Sequence, residues 1–205
     1  MADLPIALDG PLADQLSRVL DIEAKIPRAL DALGPVAGRD VLAVGDPAGL
    51  RVRQLAQLGA RIQAVDSLAG NDAAAPESVD TIVGWWSSFR GVEPTELELV
   101  DRLLRPDGRL LIVHDYGRDD VSRLRGDLPE YGAWTRRDGP FLTSGFRIRV
   151  LHCWWTFDSL EEARGFLKAA FGDAGRSFAD GLTRPRLSYN VAVYHRTRGG
   201  TRTED

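Results

Sequence analysis

Two rhythms of apolar positions alternate along this chain. Leu12, Leu16, Val19 and Leu20 recur at helical spacing just after Pro11, which suits the first turn of a helix. A second short helix is expected from Pro27 to Leu33, stopping at Gly34-Pro35, so residues 1–38 read as leading helices. From Arg39 the rhythm changes. Val41 to Val44 is a short apolar run bounded by a turn, the pattern of a strand buried on both faces. Val52, Leu55, Ala56 and Leu58 follow at roughly helical spacing and stop at Gly59; Ile62, Ala64 and Val65 then make a second strand that ends on Asp66. A third strand begins at Val79 and leads into Gly84-Trp85-Trp86. Pro94 opens a helix with Leu97, Val100, Leu103 and Leu104 facing inward. Arg105 to Gly108 reads as a turn and Arg109 to His114 as another buried strand.

The second half of the chain continues the alternation. Residues 118–145 are polar and turn-rich, mix arginines with acids, and carry Tyr131, Trp134 and Phe141. They read as an insertion over the rim of the sheet, with a solvated loop of paired charges as the favoured form. Phe146 to Trp155 alternates as a strand. Ser159-Leu160-Glu161-Glu162 is a capping box for a helix expected to stop at Gly172. Leu187 to His195 is a last strand, and 196–205 a frayed tail. With 205 residues and no linker or repeat, one α/β domain spanning 39–195 behind the leading helices is expected.

The stretch from Arg39 to Asp66 organises the rest. Strand, glycine loop, helix, strand and acid make the start of a Rossmann-like half, with the acid about 20 residues past the glycines. Gly45 and Gly49 frame a loop that a ligand can approach closely. The following helix start offers free N–H groups, and Asp66 can bind ribose hydroxyls. This stretch resembles motifs I and II of the class I methyltransferases, which use S-adenosylmethionine (SAM). Gly45 and Gly49 match the first and third glycines of the Gly-x-Gly-x-Gly motif, and Asp66 the ribose acid. Ala43 stands where the family has an acid and Pro47 where it has the middle glycine, with Asp46 between them. The helix, turn and strand from Pro94 to Val113 resemble the family's Leu-x-Pro-Gly-Gly-x-Leu segment, with Asp107 for the first glycine.

The resemblance implies a mostly parallel sheet with an antiparallel last strand, and SAM lying across Gly45, Asp46 and Gly49 with its ribose on Asp66. One departure bears on the fold. Only Ser67 to Ser78 separates Asp66 from the next strand, and a crossover alone needs roughly a dozen residues. The family's first edge strand is therefore expected to be missing, which would leave strand 61–66 as an exposed edge for a second copy of the chain. Trp85 and Trp86 lie at a carboxyl strand end, where ligands bind in open sheets. They either stack on the cofactor (Trp85) and the substrate (Trp86) or fill the gap left by the missing elements. His114 at the next strand end could take a proton from a substrate, with Asp115 holding it and Tyr116 contacting substrate; the competing reading is a structural histidine.

Composition narrows the classes. A net charge of -4 carries no nucleic-acid signature. One cysteine, Cys153, excludes an internal disulfide and a cysteine-rich metal site, and a packed thiol is expected there. The start of the chain has no basic, apolar leader and no long apolar run occurs, so a cytoplasmic protein without a membrane span is expected. No Asn-Pro-Pro-Tyr-like motif follows the 80–84 strand, which disfavours the amino-methylating subclass. Two functions remain: a SAM-dependent methyltransferase acting on a small molecule, and a non-catalytic relative that uses the fold as a scaffold.

Overall fold

A computed structural model describes residues 4–45, 49–68, 75–86, 88–126 and 129–199. In chain order the elements are α1 (Gly10–Val19), α2 (Lys25–Leu33), β1 (Asp40–Val44), α3 (Leu50–Gln57), β2 (Arg61–Val65), β3 (Val79–Gly84), α4 (Pro94–Leu103), β4 (Leu104–Asp115), α5 (Asp120–Arg125), α6 (Pro129–Trp134), α7 (Pro140–Thr143), β5 (Arg147–Thr156), α8 (Leu160–Asp180) and β6 (Arg186–Thr197). The six strands form one sheet in the order β2-β1-β3-β4-β6-β5. The β2, β1, β3 and β4 strands are parallel; β6 runs antiparallel to both β4 and β5. The expected α/β architecture is present, and β2 is the terminal strand among the described residues, as the short 67–78 connection required.

Alternating side chains on the buried strands feed two cores. Val41, Leu111 and Val113 face one side, where Leu16 and Leu20 of the leading segment, Leu30 of α2, Leu55 of α3 and Phe166 of α8 cover them. Leu42, Val44, Leu110 and Ile112 face the other side, against Val100 and Leu103 of α4 and the aromatics of 131–146. The amino ends of the strands are tied by charge. Asp40 accepts from Arg61 at 2.7 Å and from Arg105 at 2.8 Å, and Arg105 also meets Asp80 at 3.0 Å. Those hydrogen bonds hold the Asp40 carboxyl down at about 2.

Three expectations are corrected and one is extended. Arg105 to Gly108 is not a free turn: β4 starts at Leu104, which pairs with Val79, and the register shifts before Arg109 pairs with Thr81. Asp107 takes a positive φ of 63° inside that bulge. The helix from Leu160 does break at Gly172 (φ 57°, ψ -126°), as expected, but a second helical run that was not expected continues to Asp180. Ser159 does cap it, accepting from the Glu162 amide at 3.0 Å. The strand β6 continues to Thr197, so the first residues of the expected tail are ladder residues; 200–205 lie outside the described residues. The 118–145 segment is no loop. It forms α5, α6 and α7 and spans the sheet's rim, with Val121 and Leu124 in one core and Tyr131, Trp134 and Phe141 in the other.

Candidate functional site

The carboxyl ends of β1, β2, β3 and β4 form one rim, which carries most of the sequence-flagged residues. Gly45 ends β1, its amide bonded to the Val65 carbonyl at 2.8 Å, so the ends of β1 and β2 are fixed side by side. Gly49 sits at the N-cap of α3 in extended backbone and itself supplies no side-chain cap. Asp66 follows β2 and is exposed. Asp46 lies outside the described residues. Between α1 and the start of α3 opens a cleft of about 710 Å³, within the usual size of a ligand site. Gly49, Leu50, Arg51 and Gln54 line it on one side, and Asp14, Ser17, Leu20 and Asp21 on the other.

Two charged residues of that cleft had drawn no attention in the sequence. Asp21, 3% exposed, accepts from the amides of Lys25 at 3.0 Å and Ile26 at 2.7 Å and so caps α2. Arg51, 1% exposed, bonds Gln54 at 2.8 Å and the Leu20 carbonyl at 3.4 Å, and its guanidinium stands 6.0 Å from the Trp86 ring centre. One signal was available for Arg51: a cation in the first turn of a helix runs against the helix dipole, so its position calls for another role. Asp21 had none, since its two amide partners are set by the αL turn at Asp21 and Ala24.

The tryptophans are internal. Trp85 is 1% exposed in the core beneath α1, and its indole N–H has no hydrogen-bond partner. It presents no free ring face and belongs to the same core as Val83, Leu111 and Trp155. Trp86 is also buried, held by a 3.0 Å bond from its indole N–H to Asp115. It links two regions: the Arg51 guanidinium of the cleft stands over its ring, and its indole N–H bonds Asp115, which lines a second pocket of about 220 Å³. Asp115 also pairs with Arg125 and accepts from the Tyr189 hydroxyl. Burial pushes its carboxyl up, against the pull of Arg125 and Tyr189. Tyr116, Gly117, Arg118, Tyr131 and Thr135 complete this second pocket.

His114 lies apart from the rim. Its ring is fully enclosed, 4.7 Å from Trp134 and 5.9 Å from Phe141, with no side-chain partner for its nitrogens among the described residues. Desolvation, reinforced by the Arg90 charge, lowers its pKa to about 3. Asp115 points to the opposite face of β4 and does not hold it, since neighbours in a strand alternate. The expected proton-transfer pair is therefore split by the sheet. Cys153 is a buried free thiol with its pKa raised by burial and by Asp21, the packed thiol expected.

The sequence matches no protein-family profile and no curated protein. Solved structures do match. A candidate type II methyltransferase from Anaeromyxobacter dehalogenans is 16% identical, with 84% of this chain and 94% of that chain covered, at a TM-score of 0.55. A candidate methyltransferase of an antibiotic biosynthesis pathway from Anabaena variabilis is 14% identical over 87% and 98%, at 0.54. A chain from the complex of the Haloferax volcanii Trm112 methyltransferase activator with a candidate methyltransferase is 13% identical over 95% and 93%, at 0.53. The fold is that of the class I methyltransferases. At these identities the likeness concerns the fold, and the chemistry has to be argued from the rim itself. No helix among the described residues is long and apolar enough to cross a membrane.

Proposed function

We propose that this chain is a SAM-dependent methyltransferase acting on a small molecule. The observation that carries the reading is the cleft where the start of α3 at Gly49 meets α1, on the carboxyl rim of a methyltransferase-type sheet. The residues present fit the donor. The glycines admit its backbone-close portion, the α3 amides face polar atoms, and Asp66 offers an exposed carboxylate to a ribose diol at the end of β2. Asp46, which lies between the two glycines in sequence and outside the described residues, is proposed as a further donor contact. When bound, SAM supplies an electrophilic methyl group on a sulfonium. The chain's own contribution is positional: Trp86, under the Arg51 guanidinium and bonded to Asp115, joins a residue of the donor cleft to a residue of the smaller pocket. That pocket, lined by Tyr116 and by the Asp115 that holds Trp86, is the proposed acceptor site, and its volume suits a compact molecule. His114 and Trp85 serve this site by packing, being enclosed.

The test is a thermal-shift series with SAM and S-adenosylhomocysteine. A ligand held at 100 times its dissociation constant stabilises the fold by about 2.7 kcal/mol. A rise of several degrees in Tm for the wild type, lost in Asp66→Ala, is expected; no rise with either ligand overturns the reading. A second reading, a non-catalytic scaffold of the same fold, is favoured by the apolar Ala43, which is fully buried in β1, and by the bare edge at β2. In either case the proposed partner is a second copy joined along β2.

A further inference from the structure

We infer that the cleft between α5 and the second helical run of α8 is a binding site for a small phosphate monoester with an aromatic body. This cleft shares no lining residue with the proposed donor cleft or the smaller pocket, so the inference and the methyl-donor reading stand or fall separately.

The cleft measures about 760 Å³, within the range of small-molecule sites. Its charge runs against that of the molecule. The chain has a net charge of -4, yet Arg123 of α5, Arg184 and Arg186 at the start of β6 all line this one cleft. Like charges gathered in a cleft focus a field that attracts an anion. Asp120 is the one acid among the described lining residues, and its carboxylate is engaged. One oxygen pairs with Arg123, and the other accepts from the Ser188 amide at 2.8 Å and the Ser188 hydroxyl at 2.7 Å, which ties α5 to β6. Glu23 feels the Arg186 charge, but Lys25 holds it. Three guanidiniums against one carboxylate leave two formal positive charges. A phosphate monoester carries about two negative charges at pH 7, and a carboxylate only one.

Arg186 is oriented before any ligand arrives. Its guanidinium stands 4.4 Å from the Trp154 ring centre. Stacking uses the face of the guanidinium and leaves its in-plane N–H groups as a fork that matches two phosphate oxygens. The rest of the lining suits an organic body: Leu124 comes from α5, and Phe178 and Leu182 from the end of α8, beside Trp154. The break at Gly172 makes this possible, because it redirects the helical run that carries Phe178. Arg164 then occupies the Ala179 and Leu182 carbonyls, each at 3.0 Å, which offsets the negative pole of that helix end next to the anion site.

The experiment is calorimetric titration of the full chain with phenyl phosphate, with inorganic phosphate, which lacks the aromatic body, and with phenyl sulfate, which has a similar shape and a single negative charge. Arg184→Gln, Arg186→Gln and Trp154→Leu are run beside the wild type, with Tm as the check on folding. Phenyl phosphate should bind the wild type at least about threefold tighter than either comparison ligand. Each arginine variant should weaken phenyl phosphate by about tenfold, the worth of one charge-assisted contact. Trp154→Leu should bring phenyl phosphate and inorganic phosphate to within about twofold. Arg184 is exposed, so Arg184→Gln keeps the test open if Trp154→Leu loses stability. No binding of phenyl phosphate, or equal affinity in the wild type and both arginine variants, would overturn the site. Inorganic phosphate bound as tightly as phenyl phosphate would overturn the aromatic body, and phenyl sulfate bound as tightly would overturn the match to a doubly charged ester.

Discussion

At the residue scale, burial rather than position decides what a side chain does. His114 ends a central strand, the place where sequence reasoning puts a proton acceptor, yet Trp134, Phe141 and Tyr194 surround it and hold it neutral. Its folded pKa of about 3 lies below the ordinary 6.5, so the unfolded chain takes up the proton first. The stability linked to His114 is complete above pH 6.5 and is lost as the pH falls toward 3, at up to about 1.4 kcal/mol per pH unit. His195, whose pKa is also lowered by partial burial, adds in the same direction. Denaturant unfolding of the wild type and of His114→Phe between pH 7 and 4 isolates the effect. The wild type should lose stability relative to the variant as the pH drops; parallel curves would show that His114 is not buried neutral. The glycines and Asp66 were legible because backbone freedom and a strand-end acid leave a sequence pattern. Asp21, Arg125 and Tyr189 were not, because their meaning comes from contacts across 74 positions or from a turn no motif marks.

Elements were more legible than their ends. Every strand and long helix was foreseen from periodicity, since packing against a sheet enforces it. The three short helices of the rim segment were missed, because four to six residues carry too little periodicity to stand out among charges. Their aromatics were visible but their spacing was irregular. The helix past Gly172 was missed because glycine is the usual stop; here it turns the helix back, and Arg164 of the first half caps the second through the Ala179 and Leu182 carbonyls, each at 3.0 Å. That hairpin is tight at Gly175, where a Cβ would lie 1.9 Å from the Leu167 carbonyl oxygen. Gly175→Ala should therefore cost about 2 kcal/mol or more and lower Tm by several degrees, whereas Gly165→Ala, on an open face of the same helix, should not destabilise. Equal Tm values for the two variants would contradict the hairpin. Loss of the Ser159 cap in Ser159→Ala should cost about 1 kcal/mol by chemical denaturation, and no change would argue that the helix start is held by other contacts.

For the whole molecule, the short link between β2 and β3 shapes both ends of the account. Among the described residues β2, with Arg61 and Gln63 exposed, ends the sheet. Sedimentation of the purified chain should give a dimer if two copies join there, and a monomer at every concentration would contradict that pairing. The rim segment closes the other side by tying the two cores together over Asp115 and Trp86, and it does so beside the pocket proposed for the acceptor. Between them lies the cleft at Gly49, on which the functional reading depends. The most direct test is calorimetric titration with S-adenosylhomocysteine of the wild type beside Asp66→Ala. The account predicts micromolar binding by the wild type and a loss of at least about tenfold in the variant, the worth of a charge-assisted contact to the ribose. A folded wild type that binds no S-adenosylhomocysteine would contradict it and leave the fold serving as a scaffold.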